Sequence, residues 1–108
     1  MNVERRLNSR ERTSIRARIC YSRDYALWAD CVIRDLSEGG AKLQVAAIHP
    51  LPDNFLVLQL AEGVAMMARL KWRRGDMAGV TCPVRYDLRG VVPGELAPVR
   101  NLWRALNP

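Results

Sequence analysis

Asp35, Ser37 and Gly40 stand at the spacing D-x-S-x-x-G within CVIRDLSEGGAKLQV, residues 31 to 45, between two apolar runs. Each residue type can do chemistry there. An ionised carboxylate accepts two hydrogen bonds side by side, which suits adjacent N–H donors such as N1 and N2 of a guanine edge. A serine hydroxyl can donate to a phosphate or to a base edge. Gly39 and Gly40 permit positive φ and let a ligand approach the backbone closely. Plain turn chemistry accounts for the same residues, because Asp, Ser and Gly all favour turns.

A second pattern, R-x-x-x-R, recurs along the chain, among other places as Arg6 to Arg10, Arg12 to Arg16, Arg69 to Arg73 and Arg100 to Arg104. In an arginine-rich chain the spacing alone has little specificity, so position decides. Arg12 to Arg16 runs into a strand-like segment, Arg69 to Arg73 lies within another, and Arg100 to Arg104 falls on a helical pattern. Only Arg6 and Arg10 sit in a polar segment ahead of the first strand, where they can close over a ligand held elsewhere. Arginine presents a planar fork that matches phosphates and guanine edges, and it stacks on flat rings.

The chain has 17 Lys and Arg against 11 Asp and Glu, a formal net charge of +6. Only Lys42 and Lys71 are lysines. This balance points to an anionic partner such as a nucleotide, nucleic acid or acidic protein, or to a solvated basic surface. Catalysis finds little support. His49, the single histidine, precedes Pro50 in a turn-like stretch and has no evident partner. Cys20, Cys31 and Cys82 are odd in number, widely spaced and set in apolar runs, so they read as reduced, buried residues of a cytoplasmic protein. No spacing supports a metal site. No apolar run approaches a membrane span, and Met1 to Thr13 has no signal-peptide core.

The elements that must position these groups are short strands. Ile15, Ala17, Ile19 and Tyr21 alternate with polar neighbours from Ser14 onward. Strand-like runs follow over 26–34, Ala41 to Val45, Phe55 to Leu60, Val64 to Arg73 and Ala78 to Cys82. Arg74-Gly75-Asp76 is a hairpin turn by composition. Strands at regular spacing with turn signals predict a small antiparallel barrel or sandwich. Leu96, Val99, Trp103 and Leu106 then fall at helical spacing, with Pro98 in the first turn, which predicts a helix over about 95–106 covering one end of the core. Residues 1–13 read as a flexible arginine-rich arm and 14–108 as the folded domain.

An R-x-x-x-R arm, a strand pair and then D-x-S-x-x-G resemble the PilZ domain. Glu4-Arg5-Arg6 with Arg10 resembles that family's first motif, and Arg34 to Leu43, RDLSEGGAKL, its second. Trp72-Arg73-Arg74-Gly75-Asp76 followed by Gly79-Val80 is similar to its last hairpin. Cys82 departs from the pattern, where a larger aromatic is expected. The resemblance implies a mainly β fold: a six-stranded antiparallel β-barrel with an N-terminal arm and a C-terminal α-helix. It implies a non-enzymatic receptor for cyclic di-GMP, a bacterial second messenger with two guanines and two phosphates. Arg6 and Arg10 would then grip phosphates and guanine Hoogsteen edges, with Arg5 assisting. Asp35, Ser37 and Gly40 would hold a guanine from the barrel side. Arg34 and Lys42 read as solvated charges that add positive potential. No cofactor or DNA is expected. The signal would pass from a monomer or homodimer to a downstream protein partner. The rival readings are a PilZ-like adaptor without ligand and a small basic RNA-binding or DNA-binding barrel. The second predicts clustered exposed aromatics, whereas Tyr21, Trp28 and Trp72 are scattered.

Overall fold

A computed structural model describes residues 11–22 and 25–107. Six strands form in chain order: β1 (Glu11–Cys20), β2 (Trp28–Leu36), β3 (Gly40–Gln44), β4 (Asn54–Gln59), β5 (Val64–Arg74) and β6 (Met77–Asp87). All neighbours are antiparallel, and the sheet closes on itself in the order β1-β2-β3-β6-β5-β4. Closure leaves no unpaired sheet edge. The barrel of the two candidate architectures is therefore the observed one.

Alternation builds the interior. Ala17 and Ile19 of β1, Cys31 and Ile33 of β2, Leu43 of β3, Phe55 and Val57 of β4, Met66 and Ala68 of β5, and Val80 and Cys82 of β6 form one buried cluster. The smaller thiol of Cys82 is fully accommodated there, at 3% exposure. β4 is buried on both faces, because Leu56 and Leu58 point outward into a second cluster with Ala65, Leu88, Leu96 and Val99.

That second cluster seats the C-terminal helix. A 3₁₀ turn, Gly94–Leu96, leads into α1 (Ala97–Leu106), with proline in its first turn as expected. The helix lies over the outer face of β4 and the start of β5, rather than over an end of the barrel as the apolar stripe suggested. The stripe is also shorter than its spacing implied. Leu96 and Val99 are buried, but Leu106 is 38% exposed. Leu106 instead lines an open groove with Ile15, Leu60 and Ala61.

Trp103 fixes the helix to the barrel. Its indole Nε1–H donates to the Leu60 carbonyl at 2.6 Å. The ring lies over Gly63, where a Cβ would stand 2.6 Å from it, and the Arg89 guanidinium sits 5.7 Å from the ring centroid. Truncating a core tryptophan costs about 3–5 kcal/mol, and the partly buried ring of Trp103 places Trp103→Ala near the lower bound. Thermal or urea unfolding should show this loss. A variant that melts like the native protein would make α1 an appendage free to bind a partner.

Candidate functional site

Two irregularities of the ladder shape the outer face of β1, β2 and β3. Ile33 pairs with Leu43, yet Asp35 pairs with Lys42, so Arg34 is an extra residue in β2. Ile33 is fully buried, and strict alternation would send Asp35 inward after it. The bulge turns Asp35 outward instead. There its carboxylate pairs with the Lys42 ammonium at 3.2 Å, with 16% of the Asp35 side chain and 37% of the Lys42 side chain exposed. A matching shift in β1 lies between Arg12 and Ile15, and the Thr13 hydroxyl donates to the Ile33 carbonyl at this kink.

Asp35 thus lies within β2, one residue before its end, and the turn proper begins after Leu36. The Ser37 N–H donates to the Gly40 carbonyl at 3.0 Å, and the Ser37 hydroxyl donates to the same oxygen at 3.2 Å. Glu38 and Gly39 form the exposed tip. Neither Gly39 nor Gly40 adopts positive φ; among the described residues that conformation occurs at Tyr25, Gly63 and Gly75. Gly40 is needed for a different reason. A Cβ there would stand 2.6 Å from the Val80 carbonyl oxygen of the neighbouring β6. The positive φ expected at Gly39 and Gly40 is absent, and close strand approach, not a left-handed turn, excludes a side chain at Gly40. Gly40→Val should therefore disturb the β3–β6 pairing and the turn together. The expected result is a lower melting temperature, by several degrees for about 1 kcal/mol or more, with loss of any ligand held by the turn. A normally melting Gly40→Val protein would contradict it.

The turn is also held from outside. Arg85 of β6 donates through Nη2 to the carbonyls of Ser37 at 2.8 Å and Glu38 at 3.1 Å. Arg85 lies beyond the Ala78 to Cys82 run that the sequence pattern marks as the sixth strand, whereas β6 extends to Asp87. Pro83 falls where the β5–β6 register shifts, a position where its missing N–H is tolerated.

In register across the sheet run Arg12, Asp35, Lys42, Gly79 and Trp72. A second bulge, at Lys71, sets Trp72 opposite Gly79. The indole lies on that glycine, with Nε1 2.2 Å from where a Cβ would be. Trp72 remains 42% exposed, and Arg74 stands 5.9 Å above the ring. Beside this row lies an open groove of about 580 Å³ lined by Arg12, Thr13, Arg34, Asp35, Lys42, Gln44, Asp76 and Met77.

Many nearby cations are already engaged. Arg34 donates to Gln44 Oε1 at 2.8 Å and to Ser14 Oγ at 3.3 Å, and Gln44 Nε2 donates to Asp76 at 3.1 Å. Arg34 is thus a structural strut of the groove floor as well as a charge. Arg73 donates to the carbonyls of Val45, Ala46, His49 and Gly75 and fastens the loop after β3. Arg12 lines the groove and is exposed.

Of the residues singled out from sequence, the structure brings Asp35, Ser37 and Gly40 onto one hairpin beside a groove with Lys42 and Arg34. Arg5, Arg6 and Arg10 lie outside the described residues, as does most of the arm proposed for 1–13. β1 begins at Glu11, ahead of the Ser14 boundary. Among the described residues no three His, Cys, Asp or Glu side chains group as a metal site, and no helix is long and apolar enough to cross a membrane. Burial pushes the Cys31 thiol up to about 12, so it stays protonated near neutral pH and is no nucleophile.

Comparison with curated proteins and with solved structures gives no match. The family model for the PilZ domain matches residues 4–91, most of the chain, from the arginine motif through the barrel. With a closed six-stranded barrel, the D-x-S-x-x-G hairpin and a C-terminal helix all in place, the chain belongs to the PilZ domain family, whose members are in general receptor domains for cyclic di-GMP.

Proposed function

We propose that this domain binds cyclic di-GMP in the groove beside the Asp35–Gly40 hairpin and passes the signal to a partner protein in the bacterial cytoplasm. The observation that carries this reading is the bulge at Arg34, which presents an acid otherwise destined for the interior on the outer face, next to Ser37 and a cationic groove. An outward carboxylate is the acceptor a guanine N1–H and N2–H pair requires. Arg12 supplies positive charge for a phosphate, and the Trp72 indole, 42% exposed beneath Arg74, lies at the far end of the row. Arg6 and Arg10, with Arg5 assisting, form the opposing jaw from the segment ahead of β1.

Calorimetric titration with cyclic di-GMP, alongside GMP and a short RNA, tests the reading. Saturable binding of the cyclic dinucleotide, with GMP far weaker, is the expected result. Binding of RNA alone would make the barrel a nucleic-acid module. Binding of none would leave an adaptor that works through protein contacts.

A further inference from the structure

The tip of the D-x-S-x-x-G hairpin is thinly supported by its own chemistry. Glu38 and Gly39 are exposed, and no atom outside the tip approaches within 4 Å of where a Gly39 Cβ would be. A two-residue tip without packing would move relative to the barrel. Two contacts from β6 oppose this. The Cys82 N–H donates to the Gly39 carbonyl at 3.0 Å, and Arg85 donates to the Ser37 and Glu38 carbonyls. The second contact spans 47 to 48 residues of chain and is the only side chain among the described residues that bonds these two oxygens.

We infer that Arg85 is a positioning residue for the ligand-binding hairpin: it clamps the Ser37–Glu38 tip to β6 and so holds the Ser37 hydroxyl and the Asp35 carboxylate in a fixed relation before ligand arrives. The inference rests on the cyclic di-GMP reading above. Arg85 acts through the backbone carbonyls of the tip, and no contact between Arg85 and ligand is required. Arginine suits the task because one terminal nitrogen directs two hydrogens to two acceptors in a fixed fork, whereas lysine carries a rotating ammonium on a shorter stem. A pre-ordered tip spares the ligand the cost of ordering it.

Three measurements test the clamp: calorimetry with cyclic di-GMP, its dependence on salt, and amide hydrogen exchange of Ser37 to Gly40 in the free protein. Arg85→Met should bind about tenfold more weakly, roughly the worth of one charge-assisted hydrogen bond, and its tip amides should exchange faster. Its melting temperature should stay close to that of the native protein. Arg85→Lys should recover part of both losses. Arg104→Met, an equal loss of charge on the exposed helix, should bind normally. The salt dependence of binding should be the same in Arg85→Met as in the native protein, since a residue that pairs with a ligand phosphate would reduce that dependence when removed. A reduced salt dependence would make Arg85 a ligand contact and overturn the positioning role. Unchanged affinity and exchange in Arg85→Met, with native binding intact, would overturn the clamp alone. Native protein that binds no cyclic di-GMP would overturn the functional reading and, with it, a role for Arg85 in binding.

Discussion

A protein carrying Arg6→Ala and Arg10→Ala should bind cyclic di-GMP at least about 100-fold more weakly than the native domain while melting at the same temperature. The reason lies in how few cations the groove can spare. Lys42 is paired with Asp35, Arg34 braces Gln44 and Ser14, Arg73 is spent on loop carbonyls, and Arg85 holds the hairpin tip. Arg12 alone cannot neutralise two phosphates beside an aspartate. On the cyclic di-GMP reading the further charge is assigned to the segment ahead of β1, where Arg6 and Arg10 stand four residues apart within the stretch matched by the family model. A hydrogen bond to a charged group contributes about 1.5–3 kcal/mol, so two such arginines account for about 3 kcal/mol or more, and each 1.4 kcal/mol is tenfold. Arg10, nearer to β1, should matter more than Arg6. Arg10→Lys should not restore affinity, because an ammonium reproduces neither the fork nor the stack. Undiminished binding by the double variant in calorimetry would sink the two-jawed site.

The fold was legible in the sequence wherever one physical rule acted alone. Strict alternation marks β1, which keeps one register against β2 from Ile15 to Cys20 and against β4 throughout their pairing, and a continuous apolar run marks β4, which is buried on both faces. Such patterns misjudge the places where two rules compete. Asp35 reads as a turn residue, yet it belongs to β2 and faces outward, because a bulge reverses its face and no composition signal marks which residue is extra. β6 reads as ending at Cys82, yet it runs to Asp87, because Pro83 sits at a register shift instead of breaking the strand. That error hid Arg85. Trp72 reads from sequence as a motif residue and one of several scattered aromatics. Its place on the outer face follows from the pairing of Trp72 with Gly79 and of Gly79 with Lys42, which is long-range information that local patterns do not contain.

Asp35→Ala should separate site from scaffold. The Asp35–Lys42 pair is partly open to solvent, and such pairs contribute about 0–1 kcal/mol to stability. The variant should therefore fold and melt within a few degrees of the native protein. Its affinity for cyclic di-GMP should fall about 100-fold, because a guanine N1–H and N2–H would lose two charge-assisted acceptors at once. Asp35→Asn sharpens the test. The amide keeps the volume and one acceptor oxygen but turns an NH₂ donor toward a donor of the base, so it should bind little better than alanine. Lys42→Met provides the converse. It leaves Asp35 ionised and freer to accept from the base while it removes one positive charge from the groove, so its effect should be only a few-fold and should shrink as salt rises. The ranking of the three variants in calorimetry, set beside their melting curves, decides the matter. Normal binding by Asp35→Ala together with a melting temperature many degrees lower would show that the bulge at Arg34 exists to seat a structural ion pair, and the groove would lose its claim on a guanine.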